Sequence, residues 1–356
     1  MIASYVWVGF VALIIALMAL DLGVFNRKAR VPTAREALFA SALWIGLALL
    51  FDVFVYFAYE YKWFGLGLSP REPMDGREAA VKYLTAYLLE ESLSMDNLFV
   101  MALVFAQFRV PKAYQHRVLF WGILGVLVFR GLLIGIGLAL VHYFTWLFYL
   151  FGALLLWSAY KMWRNSEAVE EAPSDHGITR FLRRFYPISS RYDGGQFFTV
   201  EGGRRVATPL LVALLVIETS DIMFALDSVP AVFSITTDSF LVFSSNIFAI
   251  LGLRSLFFVL SNMLDRFVYL NYSMIAILSF IGLKMILLPL HIHIHELVSL
   301  TVIGVLLAIG VIASLKKPTL RGINLLVSEE RDSTQKPPFP VPEIPVKEEI
   351  STASKF

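Results

Sequence analysis

The chain has 356 residues, of which 58% are hydrophobic and 16% charged, with mean hydropathy +0.70 and a formal net charge of +2. Soluble domains carry about 25% charged residues, so a water-soluble globule is excluded and a polytopic membrane protein remains. The near-neutral charge gives no footprint for nucleic acid. The absence of cysteine excludes disulfides, thiolate metal sites and thiol redox chemistry.

A bilayer core about 30 Å thick needs roughly 20 apolar residues per helix. Nine stretches qualify: 4–25, 37–60, 81–108, 117–141, 145–163, 207–233, 240–261, 269–289 and 296–315. The first reads as a span rather than a signal peptide, because it has no basic leading region and no clear cleavage site. Runs this long, without ten-residue alternation, suit helices and not a membrane barrel. The expected fold is therefore an all-α polytopic membrane protein of about nine transmembrane helices.

Loop charge sets the expected orientation. Arg27, Lys28, Arg30 and Arg35 follow the first span, and Arg109, Lys112 and Arg117 follow the third. Arg164, Arg180, Arg183, Arg184, Arg191, Arg204 and Arg205 lie in the loop after the fifth, and Lys316 and Lys317 follow the ninth. With nine spans these all fall on one side, which places the N-terminus outside and the C-terminus in the cytoplasm. Residues 164–206 read as a cytoplasmic loop, with Gly177 to Tyr186 a candidate surface helix at the headgroups. Residues 316–356 read as a cytoplasmic tail, disordered where Pro337, Pro338, Pro340, Pro342 and Pro345 crowd among charges.

The third and sixth spans carry acids where lipid-crossing helices should carry none. One reads Glu90-Glu91-Ser92-Leu93-Ser94-Met95-Asp96-Asn97. The other reads Glu218-Thr219-Ser220-Asp221, then Asp227-Ser228-Val229-Pro230. Aligning Asp96 with Asp227 sets Glu90 opposite Asp221. Each following span carries one central arginine, Arg130 and Arg254. Tyr149 precedes Lys161 by twelve residues, as Tyr272 precedes Lys284. Residues 81–163 thus match 207–289 in order, with 1–60 ahead of them and a last span at 296–315. A three-helix unit repeated once crosses the membrane in opposite senses, giving a 3+3 inverted repeat, and sites in such folds lie at the repeat interface.

A charge at the bilayer centre costs at least about 2.5–3.5 kcal/mol. Six acids, Glu90, Glu91, Asp96, Glu218, Asp221 and Asp227, face two arginines, so protons or a divalent cation must relieve the excess. The alternative is a purely structural set of arginine–carboxylate pairs. The candidate ligands are Glu90, Asp96, Asn97, Asp221 and Asp227. Arg130 and Arg254 would balance charge, and Glu91, Glu218, Ser92, Ser220, Ser228 and Asp52 are possible additions, with Ser94 nearby. An all-oxygen set suits Mg(II), Ca(II) or Mn(II) rather than zinc or copper. Spacing adds a constraint. Six residues along a helix is a turn of about 120° off register, so Glu90 and Asp96 cannot both grip one ion from a straight helix. Glu90 with Asn97, and Asp221 with Ser228, do share faces. Pro230 cannot donate to the carbonyl of Leu226, which offers a local break there. Asp21 reads as structural. Lys161 and Lys284 read as snorkelling side chains near helix ends. His291, His293 and His295 read as a polar outer loop.

The run from Glu90 to Asn97, the run from Glu218 to Ala231, and Asn246-Ile247-Phe248-Ala249-Ile250-Leu251-Gly252-Leu253-Arg254 together resemble the TerC family, nearest its bacterial Alx branch. The likeness covers most of residues 1–315. It implies a bacterial inner-membrane protein of the LysE-type transporter superfamily. It also implies Mn(II) as the transported ion, export as the direction, and no tightly bound cofactor. Glu90, Asp96, Asn97, Arg130, Asp221 and Asp227 stand at its polar positions. Protons re-entering onto the emptied carboxylates are the simplest coupling. The expected partners are then a divalent ion, protons and the lipid bilayer. Two other readings of the family stay open: a redox modulator or tellurium-resistance factor, and a non-transporting scaffold for metal loading that docks through its loop and tail.

Overall fold

A computed structural model describes residues 4–20, 33–68, 72–165, 188–189, 191–201, 203–261, 270–290, 292 and 294–316. The candidate surface helix at 177–186, Asp21, His291, His293 and the Pro-rich tail lie outside the described residues. So does the side chain of Asp96, whose backbone is helical.

Nine α-helices occur among the described residues: α1 (Ser4–Leu20), α2 (Ala34–Glu60), α3 (Gly76–Gln107), α4 (Lys112–Tyr143), α5 (Leu147–Asn165), α6 (Pro209–Phe233), α7 (Ser239–Ser261), α8 (Leu270–Leu287) and α9 (Glu296–Lys316). Six of them, α2, α4, α6, α7, α8 and α9, are long and apolar enough to cross a membrane, and α1 is a shorter apolar helix. The fold is all-α and membrane-type. α3 reaches 32 residues, but the acids in its middle dilute its apolar character.

Local chemistry sets where the helices begin. Thr33 and Glu36 form a reciprocal capping box at α2, and Asp75 accepts from the Glu78 backbone N–H at 2.8 Å to start α3. Pro209 opens α6 at its first turn, where a missing N–H costs nothing. His295 Nδ1 accepts from the Leu297 N–H at the start of α9, so this histidine serves the helix end. α6 runs unbroken through Pro230 to Phe233. The break expected there does not occur: the missing N–H of Pro230 leaves the Leu226 carbonyl without its helical donor, but the helix continues for three more residues.

α5 packs along α8, α3 along α7 and α4 along α6; α2 lies against α3 and α7, and α9 against α8 and α3. Gly152 and Gly282 meet at the α5–α8 crossing, where a Cβ on Gly152 would stand 2.8 Å from the Gly282 carbonyl oxygen. The loop after α5 contains a hairpin that the sequence reading did not anticipate. β1 (Phe198–Glu201) pairs antiparallel with β2 (Arg204–Ala207), and Val200 opposes Arg205. It caps one end of the bundle: the Tyr192 hydroxyl donates to the Phe108 carbonyl at 2.6 Å, and Arg117 lies over the Phe197 ring.

Three apolar clusters fill the bundle. The first, at the hairpin end, joins Leu98–Val110 of α3 and its following turn, Val118–Val126 of α4, Leu210–Ile217 of α6 and Ile250–Phe258 of α7. The second, at the opposite end, joins Ala86–Leu93, Ile134–Val141, Ala225–Ile235 and Val242 with α5 and α8. The third binds α1 and α2 to α3 and α7. Between the first and second clusters each of α3, α4, α6 and α7 has a gap in its apolar lining. That seam positions the candidate site.

Candidate functional site

The seam holds one side chain after another that can bear charge or accept a hydrogen bond. α3 contributes Glu90 and Asn97, seven residues apart and so nearly on one face. α4 contributes Arg130, and α6 contributes Asp221. The guanidinium is 2% exposed, Glu90 and Asn97 are at 0%, and Asp221 is at 1%. Arg130 grips Asp221 side-on: Nη2 donates to Oδ1 at 2.9 Å and Nε to Oδ2 at 3.2 Å. Its remaining nitrogen, Nη1, is ion-paired with Glu90. Asn97 Nδ2 donates to the same Asp221 Oδ1 at 2.6 Å. One cation is therefore shared between two carboxylates from two helices. The planar fork of arginine lets two nitrogens hold one carboxylate side-on while the third faces the other carboxylate.

Pairing at this centre is incomplete. Glu90 Oε2 and Asn97 Oδ1 are buried without a hydrogen-bond partner, as are the hydroxyls of Ser92, Ser94 and Ser228. Ser220 differs, since its hydroxyl donates to the Val216 carbonyl of its own helix at 2.9 Å. Buried polar atoms in native proteins are almost always paired. Of these open atoms, Glu90 Oε2 and Asn97 Oδ1 belong to side chains that are themselves tied to the Arg130–Asp221 pair.

The structure divides the other sequence-derived candidates. Asp227 is half-buried on α6 and accepts from Ser158 Oγ of α5 at 2.6 Å. It is turned toward α5, away from Arg130, as its six-residue offset from Asp221 requires. Glu218 shares the α4-facing side of α6 with Asp221. Its carboxylate occupies the space where a Cβ at Gly125 would fall, and its Oε2 has no partner. Glu91 is buried beside Tyr87 with Oε2 unpartnered, about 100° around the helix from Glu90. Asp52 of α2 lies near Tyr83, outside the Arg130 cluster. Arg254 is buried toward the hairpin end near His116, so the two arginines stand at different depths. Among the described residues no three His, Asp or Glu side chains already converge on a point that could hold a metal. In this conformation the Arg130 guanidinium stands at the centre of the acids.

A second polar cluster lies at the end opposite the hairpin, and the sequence reading missed it. Glu72, in the α2–α3 connection, accepts from Lys82 Nζ at 2.8 Å, Thr236 Oγ1 at 2.9 Å, the Thr237 N–H at 2.9 Å and Thr237 Oγ1 at 2.8 Å. Lys82 Nζ also donates to Glu78 at 2.6 Å. Asp238 accepts from the Tyr59 hydroxyl at 2.8 Å and from the N–H groups of Phe240 and Leu241 that open α7. Burial alone would raise the Glu72 carboxyl; Lys82 and the Thr237 bonds outweigh it and hold the group below its ordinary value of 4.5. Asp238 is raised, because burial outweighs the hydrogen bonds it accepts. Nearby, Lys284 is buried and donates to Glu296 at 3.1 Å and Ser299 Oγ at 3.0 Å. It does not snorkel as expected: α9 brings it a carboxylate inside the bundle. The available signals were Lys82 within an apolar run and Asp238 one residue before a helix start.

Comparison with known proteins adds lineage to this geometry. Residues 75–319 match the model of the integral membrane protein TerC family. The chain belongs to the TerC family. An uncharacterized membrane protein of Myxococcus xanthus is 47% identical over 313 residues, covering 87% of this chain and 92% of that one. Proteins named membrane-bound redox modulator Alx are also similar. The one from Salmonella typhi is 38% identical over 327 residues, covering 92% of this chain and 95% of its own length. The one from Escherichia coli K12 is 39% identical over 298 residues, covering 83% and 90%. No solved structure matches the chain. The matched region spans α3 to α9, so the Arg130 cluster of this TerC protein lies wholly within it, whereas Glu72 and Tyr59 of the second cluster precede it. It is an integral, multi-pass membrane protein.

Proposed function

We propose that this TerC protein is an inner-membrane transporter of a hard divalent cation, with Mn(II) exported by alternating access. The observation that carries the reading is Arg130 shared by Glu90 and Asp221 in the mid-depth seam, with Glu90 Oε2 and Asn97 Oδ1 left without partners beside it. Two carboxylates and one guanidinium leave a net negative charge in a low-dielectric place. A divalent ion would be attracted there, and in binding it would displace Arg130 from at least one carboxylate. The guanidinium then returns when the ion leaves, so neither state strands bare charge. Oxygen ligands match manganese, calcium or magnesium, and manganese is the one that the resemblance noted in the sequence implies. Asp96, nearly two turns along α3 from Glu90 and next to Asn97, would supply a carboxylate at a successive position on the path. Asp227, on the α5 face, would serve a different position on the path.

The packing supports the inverted repeat that such a mechanism uses. Exchanging α3 with α6, α4 with α7 and α5 with α8 turns the α3–α7 contact into the α6–α4 contact and the α5–α8 contact into itself. These are the three most extensive helix pairings. Nine spans with the hairpin end in the cytoplasm follow from the loop arginines. Export of a divalent ion against a negative interior then opposes about 4.6 kcal/mol per 100 mV, at about 2.3 per charge, and protons returning through the emptied acids would meet that cost. The redox name of the Alx relatives has no thiol in this chain to act through.

The test is purified protein in sealed vesicles, with Mn(II) and pH indicators on opposite sides. Mn(II) movement with counter-movement of protons is expected. Asp221→Asn and Asp96→Asn should each slow it by roughly tenfold or more, the scale of losing a metal-site group. Full-rate transport by both variants would remove the site assignment, and no flux in the native protein would remove the transport reading.

A further inference from the structure

The seam has a fourth wall that none of the acids supplies. On α7 the apolar lining of one end stops at Val242 and that of the other resumes at Ile250. Asn246 lies midway. This is the same interruption that Arg130 fills on α4, Asp221 on α6 and Asn97 on α3. Two contacts fix its level. Phe243, one turn before it, is the residue a Cβ on Gly131 would meet at 3.2 Å, and Gly131 adjoins Arg130. Farther along, Phe257 of α7 packs on Phe105 of α3 at 5.3 Å between ring centroids. The two helices run parallel, since each starts at the end opposite the hairpin, so that contact puts Asn246 level with Ser94, between Glu90 and Asn97.

Asn246 is 1% exposed, and neither its Oδ1 nor its Nδ2 has a hydrogen-bond partner. A carboxamide can accept twice and donate twice. Burying it with none of these met is a net cost to the fold. Its neighbours do not share this condition: Ser244 donates to the Phe240 carbonyl at 2.6 Å and Ser245 to the Val242 carbonyl at 3.2 Å. Ser94, facing it in depth, has an unpartnered hydroxyl as well.

We infer that Asn246 is an ion-contacting residue, presenting its carbonyl oxygen from α7 to the divalent cation or to the water that cation carries. The inference rests on the transport reading above and extends the site from three helices to four. A neutral amide oxygen adds a hard ligand without adding charge to an already acidic seam. It would also let the ion bridge α6, in one half of the repeat, and α7, its neighbour in chain order, across the seam shared with α3.

The experiment compares native protein with Asn246→Ala and Asn246→Asp in the same vesicles, together with melting of the detergent-purified full chain with and without Mn(II). Removing an unpaired buried amide should leave the metal-free melting temperature unchanged or raised. The Mn(II) concentration for half-maximal flux should rise by roughly tenfold, and the stabilisation by Mn(II) should shrink correspondingly. Asn246→Asp, which keeps an oxygen, should retain most of the Mn(II) response. A lower metal-free melting temperature with unaltered Mn(II) dependence would make Asn246 a structural residue and overturn the inference. Failure of the native protein to bind or move Mn(II) would instead strike the transport reading itself, a distinguishable result.

Discussion

The two polar clusters of this protein use the same residue types and satisfy them differently. At the end opposite the hairpin, Glu72 takes four hydrogen bonds, Asp238 takes three, and Lys82 bridges two glutamates. In the central seam Arg130, Asp221 and Asn97 are bonded, while Glu90 Oε2, Asn97 Oδ1, both polar atoms of Asn246 and three serine hydroxyls are not. A saturated network rigidifies what it joins. Here it ties the α2–α3 connection to the α6–α7 connection and closes that end of the bundle. An unsaturated network in the bilayer interior is costly, and in the proposed transport cycle the ion is what completes it. Burial of charge alone does not tell the two clusters apart; completion of hydrogen bonding does.

The largest expected effect on this contrast comes from Arg130→Met. It strands Glu90 and Asp221 without their cation, which should destabilise the protein by about 3–5 kcal/mol. Melting in detergent checks this, and adding Glu90→Gln with Asp221→Asn to the same chain should recover much of the loss. If Arg130→Met melts like the native protein, the carboxylates are not held by that guanidinium and the central pairing is wrong.

Next in size is the closed end. Glu72→Gln weakens charge-assisted bonds worth about 1.5–3 kcal/mol and should lower the melting temperature while leaving the Mn(II) response of half-maximal flux in place. The same group gives a pH signature. Its carboxyl is held below 4.5 in the folded protein, so its contribution is complete above the ordinary value and is lost as pH falls through the lower folded value. Native protein should therefore lose stability on acidification below about 4.5 more steeply than Glu72→Gln. Parallel curves would show that the Glu72 bonds contribute nothing.

The smallest effect sharpens the division on α6. Ser158→Ala removes one hydrogen bond from half-buried Asp227 and should cost about 1 kcal/mol, with little change in flux. Asp227→Asn should likewise slow transport less than Asp221→Asn. Equal loss from both aspartates would mean that the α5 face belongs to the ion's path as fully as the Arg130 face.

Much of the fold was legible in the residues. The nine apolar stretches correspond to α1–α9, with ends that differ by a few residues, because lipid admits only backbone that satisfies its own hydrogen bonds. The seven-residue spacing of Glu90 and Asn97 anticipated that they share a face, whereas Asp227, read as a ligand alongside Asp221, turns instead to Ser158. The hairpin at 198–207 was hidden in a loop read by its charge, although Gly203, at φ +77, is a turn residue between two short alternating runs. Asn246 was noticed only as part of a motif, since an asparagine in an apolar helix does not reveal whether it is bonded.

The sequence by itself determined the helices, the depth of the charges along them and the excess of acid over base at mid-membrane, because helical period and bilayer thickness are local constraints. Only the tertiary structure decided that Arg130 takes Glu90 and Asp221 together, that Asp227 turns to Ser158, and that Glu72 reaches Thr236 and Thr237 across 164 and 165 residues. The physical reason lies in the solvent. In lipid, the face of a helix that packs and the face that meets hydrocarbon are equally apolar, so rotation about the axis is invisible in composition. It is set by close approach between helices, as at Gly125, Gly131 and Gly152. The four-sided seam around Glu90 is a product of those rotations.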